Sequence, residues 1–324
     1  MGLLQDWFLG LVGLKPEAPR PLSLAASADG RRAAVAWEGG AAAVFEVESG
    51  ARLWSGRAAG VALSPDGAQL ATWDGLRHTL GGAADVLDDG VVGPCVWLPD
   101  GLLRLGAEQA WRLGGASWAL PGLVASPGLR VRPGPALALV DTAWDDAVTL
   151  HKDGLVERLG ARATDAAWVG ETLWLVVDGA LRPWRGRLGP PQRPHGLQTL
   201  AVVNLGGRRV SLGLEAGDRV TLVGLGDAAL TLPGAAPVRP SLTPCAGGLV
   251  VEMNDGFVFV APTGAITARL SLPLGRRRAR PLFGEPPIVA LGPDRVLLGG
   301  RPALVYDAAT ARFWQRLGAD PQTP

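Results

Sequence analysis

The chain has 324 residues, of which 48% are hydrophobic and 19% are charged, and its formal net charge is +1. This composition excludes disorder along the whole chain, because enough apolar side chains are present to bury a large core. The near-zero charge gives no global field that would attract nucleic acid, so we do not expect a nucleic-acid partner.

The first predicted element is an apolar segment, residues 1–19, which lacks the basic start of a secretory signal. Its apolar run, residues 7–14, is too short to cross a bilayer. The large apolar residues at helical spacing are Trp7, Phe8, Leu11 and Leu14. This spacing predicts an amphipathic helix that caps the fold or binds a protein. Two alternatives stay open: residues 3–14 supply a strand that clasps the fold, or they contact a membrane surface weakly. We expect a cytoplasmic protein.

A repeated strand–turn–strand pattern follows. Its clearest copies are LAASADGRRAAVAW (24–37), VALSPDGAQLATW (61–73) and CVWLPDGLLRLG (95–106). Weaker copies are VRPGPALALV (131–140), AAWVGETLWLVV (166–177), AVVNLGGRRVSLGL (201–214), LTPCAGGLVVEM (242–253) and IVALGPDRVLLGG (288–300). The eight copies recur every 33 to 47 residues. That interval suits four strands of about five residues joined by tight turns, so each copy predicts one four-stranded unit.

The second half of each unit predicts an outer hairpin. VFEVESGARLW (44–54) in the first unit and VYDAATARFW (305–314) in the last are two versions of it. Trp54, Trp118 and Trp314 fall at similar places in the final strand of three units. A large aromatic side chain at a repeated position predicts packing between neighbouring sheets.

These motifs resemble those of two propeller families. The SADG, SPDG and LPDG turns are similar to the turns of WD-repeat propellers. VYDAATARFW and FEVESGARLW resemble the Asp-x-x-Thr-Gly-x-x-x-Trp element of quinoprotein-like propellers. The resemblance implies a single all-β β-propeller over residues 20–318 with eight four-stranded blades, seven being the alternative. Residues 1–19 precede it and residues 319–324 form a C-terminal tail. The first and last blades would each be continuous, so the ring would close by side-chain packing alone. The arginine-rich, lysine-poor composition suggests a bacterial source.

No catalytic or metal-binding constellation stands out in the sequence. The local acid clusters are Asp85, Asp88 and Asp89, and Asp141, Asp145 and Asp146. Acids in turns mostly cap backbone amides and face water. The histidines His78, His151 and His195 fall in three different units, at predicted outer turns. Tyr306 lies within the last hairpin, where we expect packing.

The two cysteines, Cys95 and Cys245, lie far apart and lack zinc-ligand spacing, so we expect buried free thiols. They also differ from the adjacent cysteine pair that the resemblance would imply for a quinoprotein dehydrogenase. We therefore expect no cofactor and no metal.

One insertion, residues 275–287, breaks the repeat before the last unit. Its arginines are Arg276, Arg277, Arg278 and Arg280. Guanidinium groups on a loop that interrupts a regular scaffold suit an acidic protein partner or a phosphate. The favoured hypothesis is a monomeric, non-enzymatic interaction platform that binds a protein through a propeller face or the N-terminal segment. The alternatives are a propeller-type hydrolase with acids on channel-facing loops and a quinoprotein-like outer-membrane assembly factor.

Overall fold

The computed structural model describes most of the chain from residue 21 to residue 317. The described residues are 21–82, 84–86, 93–98, 101–112, 117–124, 129–141, 146–150, 156–160, 162–237, 240–245, 248–271, 288–292, 295–299, 303–307 and 312–317. In this part of the chain the structure contains thirty strands in eight antiparallel sheets and no α-helix. A single 3-10 turn covers Pro194–Gly196.

The eight sheets follow one another in sequence, and each is built from consecutive strands. Sheet 1 contains β1 (Pro21–Ala26), β2 (Arg32–Trp37), β3 (Ala41–Glu46) and β4 (Arg52–Arg57). Sheet 2 contains β5 (Val61–Leu63), β6 (Gln69–Thr72), β7 (Leu76–Thr79) and β8 (Ala84–Val86). Sheet 3 contains β9 (Cys95–Leu98), β10 (Gly101–Arg112) and β11 (Ser117–Val124). Sheet 4 contains β12 (Leu129–Arg132), β13 (Leu137–Asp141), β14 (Asp146–Leu150) and β15 (Val156–Arg158).

The second four sheets repeat this order. Sheet 5 contains β16 (Ala163–Val169), β17 (Thr172–Val177) and β18 (Ala180–Trp184). Sheet 6 contains β19 (Gln198–Leu205), β20 (Arg208–Glu215), β21 (Arg219–Val223) and β22 (Leu230–Leu232). Sheet 7 contains β23 (Leu242–Cys245), β24 (Gly248–Met253), β25 (Gly256–Val260) and β26 (Ile266–Ser271). Sheet 8 contains β27 (Ile288–Leu291), β28 (Arg295–Leu298), β29 (Ala303–Asp307) and β30 (Arg312–Leu317).

The Ser-x-Asp-Gly turn explains why the first copies of the repeat are so regular. In sheet 1 the Ser27 hydroxyl donates to Asp29 Oδ1 at 2.6 Å and accepts the Arg32 amide at 3.0 Å. Gly30 follows with φ +70°, a conformation that favours glycine. The Ser27 hydrogen bond, and then that of the Arg31 amide, lower the pKa of Asp29. The same serine-to-aspartate bond recurs at 2.6 Å in sheet 2, so these residues encode the turn locally.

Apolar clusters between the sheets hold the fold together. In the described part of the chain, eight such clusters each join two sheets that follow one another in the sequence, or join sheet 8 to sheet 1. The cluster between sheets 8 and 1 includes Leu24 and Phe45 on one side and Leu291 and Val305 on the other. The first and last sheets therefore pack together although about 250 residues separate them, with each buried aliphatic side chain contributing roughly 1.5–3 kcal/mol.

Two sheets depart from the expected four strands. In sheet 3 the predicted second and third strands are a single strand, β10. In sheet 5 the fourth strand is replaced by two isolated bridges, Leu181 to Gln192 and Trp184 to Leu188. Proline cannot donate to a ladder, so the Pro190–Pro191 pair before Gln192 explains the interruption.

The prediction that all three repeated tryptophans pack in the core is wrong for one of them. Trp54 and Trp118 are half-buried against the clusters of their sheets. Trp314 is 44% exposed. The register of β30 skips Trp314 between Phe313 and Gln315, so Trp314 occupies a β-bulge. In β4 the register instead skips Leu53. A one-residue shift of the bulge therefore turns the last tryptophan outward.

Candidate functional site

The predicted partner-binding residues all lie outside the described part of the chain. Trp7, Phe8, Leu11 and Leu14 precede residue 21, and Arg276, Arg277, Arg278 and Arg280 fall between residues 271 and 288. A strand that clasps the fold, predicted as an alternative for residues 3–14, lies outside it as well. These assignments remain predictions.

The described strands that follow these two segments begin at the same end of the fold. β1 and β27 are in contact, and their C-terminal turns meet: a Cβ on Gly30 would lie 2.6 Å from the carbonyl carbon of Leu291. We call this the turn end. Because both strands run toward it, both start at the opposite end, the upstream end. Pro21 and Ile288 therefore lie on adjacent sheets at the upstream end. Residues 1–20 and 272–287 connect to the fold at these two positions.

The first strands of the sheets form the interior of the arrangement, since the first strands touch each other in seven of the eight neighbouring pairs of sheets. Their sequences contain only three charged residues, Arg130, Arg132 and Asp165. Sequence reasoning did not single out any of the three. The sequence signal that could have identified them is the rarity of charged residues in these strands.

Asp165 joins three sheets through both of its carboxylate oxygens. Arg130 Nη1 and Arg132 Nη2, on β12 of sheet 4, each donate to Asp165 Oδ1 at 3.0 Å. The Val202 amide, on β19 of sheet 6, donates to Asp165 Oδ2 at 3.0 Å. Arg132 Nε also donates to the Ala166 carbonyl at 3.0 Å. We call Asp165, Arg130 and Arg132 the central ion cluster.

The electrostatics of the cluster keep Asp165 ionised. Its side chain is 3% exposed, and those of Arg130 and Arg132 are 9% and 30% exposed. Burial alone would raise the pKa of Asp165, but the charges of Arg130 and Arg132 and the Val202 hydrogen bond outweigh it and lower the pKa. A carboxylate with both oxygens occupied and a lowered pKa is poorly suited to act as a general acid.

The bonds of Asp165 repeat a device found elsewhere in the interior. Ser23 in sheet 1, like Asp165, directly follows a register shift in its strand. Its hydroxyl accepts the Val61 amide and donates to the Val61 carbonyl in sheet 2, both at 3.2 Å. The Trp97 indole similarly donates to the Ala62 carbonyl at 3.2 Å. Side chains of one sheet thus satisfy edge backbone groups of a neighbouring sheet, which is a structural role.

The remaining sequence candidates that the structure describes lie outside the eight first strands. Asp85 lies on β8, the outermost strand of sheet 2, while Asp141 and Asp146 are backbone register partners at the ends of β13 and β14. His195 is exposed with φ +50°. His78 lies within β7 rather than in the predicted outer turn, because Thr72 and Leu76 close the Asp74–Gly75 turn and place His78 in the following strand. The other candidates, Asp88, Asp89, Asp145 and His151, are outside the described residues.

Two predictions about single residue types are confirmed. Cys95 and Cys245 are buried free cysteines. Tyr306 packs: its ring stacks on Phe259 with centroids 4.3 Å apart, and burial raises its pKa. Among the residues that the structure describes, no three His, Cys, Asp or Glu side chains come together as a possible metal site. No helix in that part is long and apolar enough to span a membrane.

Comparison with solved structures shows the fold of the chain. The computationally designed protein Ika8 is 12% identical with a TM-score of 0.59, and the match covers 90% of this chain and 97% of Ika8. AztD from Citrobacter koseri is 14% identical with a TM-score of 0.53, over 86% of this chain and 92% of AztD. A catalytically inactive virginiamycin B lyase from Staphylococcus aureus, crystallised with quinupristin, is 12% identical with a TM-score of 0.52, over 89% and 94% of the two chains.

AztD and the lyase have propeller folds, and this all-β chain shares that architecture at low sequence identity. No protein-family model and no curated protein sequence matches the chain. The likeness therefore extends to the fold and not to the activity of either protein.

Proposed function

We propose that the chain is a closed, eight-bladed β-propeller that serves as a non-enzymatic, monomeric interaction platform for a protein partner in the cytoplasm. The observation that carries the proposal is the position of Pro21 and Ile288. Because β1 and β27 start side by side, residues 1–20 and 272–287 join the propeller at its upstream end on adjacent blades. The two segments that break the repeat thus offer an apolar and a basic element to the same partner.

The closed ring is supported by the cluster between sheets 8 and 1. Leu24 and Phe45 pack with Leu291 and Val305, and Arg295 Nη1 donates to Glu48 Oε2 at 2.9 Å across the same junction. Each of the two sheets comes from one continuous stretch of the chain. These contacts support a ring that closes through side chains.

The partner-binding residues of this proposal are those predicted from the sequence. The apolar group is Trp7, Phe8, Leu11 and Leu14, and the basic group is Arg276, Arg277, Arg278 and Arg280. Large apolar side chains and arginine are the residue types that dominate binding energy at protein interfaces. A partner with an apolar groove beside an acidic patch would satisfy both groups.

The hydrolase hypothesis gains no support from the described interior. Its chemistry needs carboxylates or a metal set at matched distances. Asp165 is the single acid of the eight first strands, and both of its oxygens are occupied by Arg130, Arg132 and Val202. The central ion cluster fastens sheets together, which suits a rigid platform.

Affinity purification from the native cell tests the platform. The bait is the full chain, compared with a variant lacking residues 1–19 and with a variant carrying alanine at the four arginines of residues 276–280. A matched control replaces two exposed arginines, Arg162 and Arg193, by alanine. We expect one specific partner to be captured by the full chain and by the control, and to be lost from both test variants. Capture of the same partner by all four baits would contradict the proposed site, and an empty full-chain bait would contradict the platform.

A further inference from the structure

Four large apolar residues that are exposed lie on one arc of the rim. They are Leu53, Val86, Ile266 and Trp314, with exposures of 40%, 73%, 41% and 44%. Each lies on the outermost strand of its sheet: β4, β8, β26 and β30. These strands belong to sheets 7, 8, 1 and 2, which are consecutive when sheet 8 packs on sheet 1. Among the side chains that the structure describes on the outermost strands of sheets 4 to 6, none is large, apolar and exposed.

The two central strands of this arc share a short sequence. β4 reads RLWSGR and β30 reads RFWQRL, so each combines two arginines with a tryptophan and contains no acid. Arg52, Arg57 and Arg312 are exposed. Because β4 and β30 share this sequence, two adjacent sheets have an outer edge that is both basic and apolar.

The β-bulges in these strands direct apolar side chains into solvent. The register of β4 skips Leu53, and that of β30 skips Trp314. A bulge and arginines at a sheet edge both oppose further strand pairing. Two copies of the chain would also bring arginines against arginines. Edge-to-edge self-association is therefore disfavoured, and the side chains themselves are what this arc offers to a partner.

Trp314 is held in place although it is exposed. The Arg295 guanidinium lies 3.8 Å from the centre of the Trp314 ring. Arg295 is itself fixed by Glu48, whose Oε2 accepts its Nη1 at 2.9 Å. An exposed aromatic side chain that is already ordered loses little conformational entropy on binding. Tryptophan and arginine are also the residues most enriched at the energetic centres of interfaces.

We propose that the rim arc centred on β4 and β30 is a second docking surface, for a protein segment that combines acidic and apolar side chains. Leu53 and Trp314 are the apolar anchors, and Arg52, Arg57 and Arg312 attract the carboxylates. Charge complementarity selects this partner, since neither strand carries a negative charge. The anchors Leu53 and Trp314, with Arg52 and Arg312, lie toward the turn end of their strands. Their role therefore does not depend on the proposed function of residues 1–20 and 272–287 at the upstream end.

Fluorescence anisotropy of labelled peptides with the full chain tests this surface. The probe is an eight-residue peptide that alternates Glu and Leu. Two further peptides replace every Glu by Lys, or every Leu by Ser. We expect binding of the Glu–Leu peptide only, and at least about tenfold weaker binding when either the charge or the apolar group is missing. Equal binding of the Glu–Ser peptide would overturn the role of the apolar anchors, and no binding of the Glu–Leu peptide would overturn the proposal.

Variants of the protein locate the binding on the rim. Trp314→Ala, and separately Arg52→Glu with Arg312→Glu, should each weaken the Glu–Leu peptide about tenfold. Thr231→Ala, exposed on the outermost strand β22 of sheet 6, and Arg193→Glu should leave it unchanged. Because Trp314 also contacts Arg295, the Tm of each variant is measured in parallel. Leu53→Ala supplies an anchor variant without that contact, and unchanged binding in both anchor variants would refute the proposed surface.

Discussion

The central ion cluster makes a sharp prediction about stability. Replacing Asp165 by alanine leaves two guanidinium groups without their shared carboxylate and the Val202 amide without its acceptor. Asp165 and Arg130 are both almost fully buried. Removing one partner of a buried ion pair costs about 3–5 kcal/mol, because an uncompensated charge stays in a poorly hydrated site. At about 2 °C per kcal/mol for a chain of this size, we expect Tm to fall by roughly 6–10 °C.

The assay is thermal unfolding followed by circular dichroism, with urea unfolding to detect any change in cooperativity. Asp165→Asn retains an oxygen for the Val202 amide and should lose less stability than Asp165→Ala. The control, Asp227→Asn, changes an exposed acid and should shift Tm by less than about 1 °C. A loss below about 1 kcal/mol in Asp165→Ala would refute the assignment of Asp165 as the shared partner of three sheets.

A double-mutant cycle separates the ion pair from simple packing. Arg132→Met keeps most of the apolar stem of the side chain and removes its charge. If Arg132 acts through Asp165, Arg132→Met should destabilise the wild-type chain but cost far less in the Asp165→Ala background, with a coupling of roughly 0.5–3 kcal/mol. Additive losses would mean that the two residues act independently.

The pH dependence of stability follows from the lowered pKa of Asp165. A carboxyl group with a lower pKa in the folded chain contributes stability that is present above its unfolded pKa, about 3.9, and is lost as pH falls through the folded pKa. Wild type should therefore exceed Asp165→Asn in stability at pH 7, and the difference should shrink below about pH 4. A difference that stays constant down to pH 2 would contradict this linkage.

Three further predictions concern other contacts. Gly30→Ala should lower Tm by at least several degrees. Gly30 has φ +70°, and an added Cβ would lie 2.6 Å from the Leu291 carbonyl carbon at the junction of sheets 8 and 1. The control is Gly217→Ala, at an exposed glycine with open space around it. Burial lowers the pKa of His78, whose ring lies 4.8 Å from that of Trp54. The free energy of unfolding should therefore fall as pH drops below about 6.5. His78→Gln should reduce this dependence on pH in unfolding curves measured in the acid range. Glu48→Gln should cost less than about 1 kcal/mol in urea unfolding, because Glu48 is 67% exposed.

The success of the sequence in predicting sheets has a local physical cause. In the first two units, the bonds of the Ser-x-Asp-Gly turn involve residues two to five positions apart, such as Ser27 to Asp29 and Ser27 to Arg32. A turn of this kind leaves its signature in adjacent residues, and it fixes the phase of the strands on either side. Two predictions failed where other local chemistry intervened: prolines follow β18, and the bulge is shifted at Trp314.

The central ion cluster could not be predicted in the same way, because its bonds connect residues 33 to 37 positions apart in weakly repetitive units. Arg130, Arg132 and Asp165 carry no motif of their own. Their meaning depends on sheets 4, 5 and 6 being placed side by side, and on Asp165 following the same strand irregularity as Ser23. Once the first strands are aligned, however, a charged residue among them predicts an ion pair. An ionisable side chain that is buried among uncharged strands needs a partner of opposite charge nearby.

The two similar hairpins near the ends of the chain bear on both the fold and the proposed docking surface. Their repeated turn and tryptophan identify the first and last sheets, which the fold then packs together. Their differences concern the proposed docking surface. The bulge position decides whether the tryptophan is half-buried, as Trp54 is, or faces the solvent, as Trp314 does. If the bulge causes the exposure of Trp314, deleting Phe313 should remove the bulge. Trp314 should then pair with Tyr306 on β29 and become buried. We expect such a variant to keep the fold, as judged by its circular dichroism, and to lose the Glu–Leu peptide; retained binding would show that the exposed tryptophan is not the anchor.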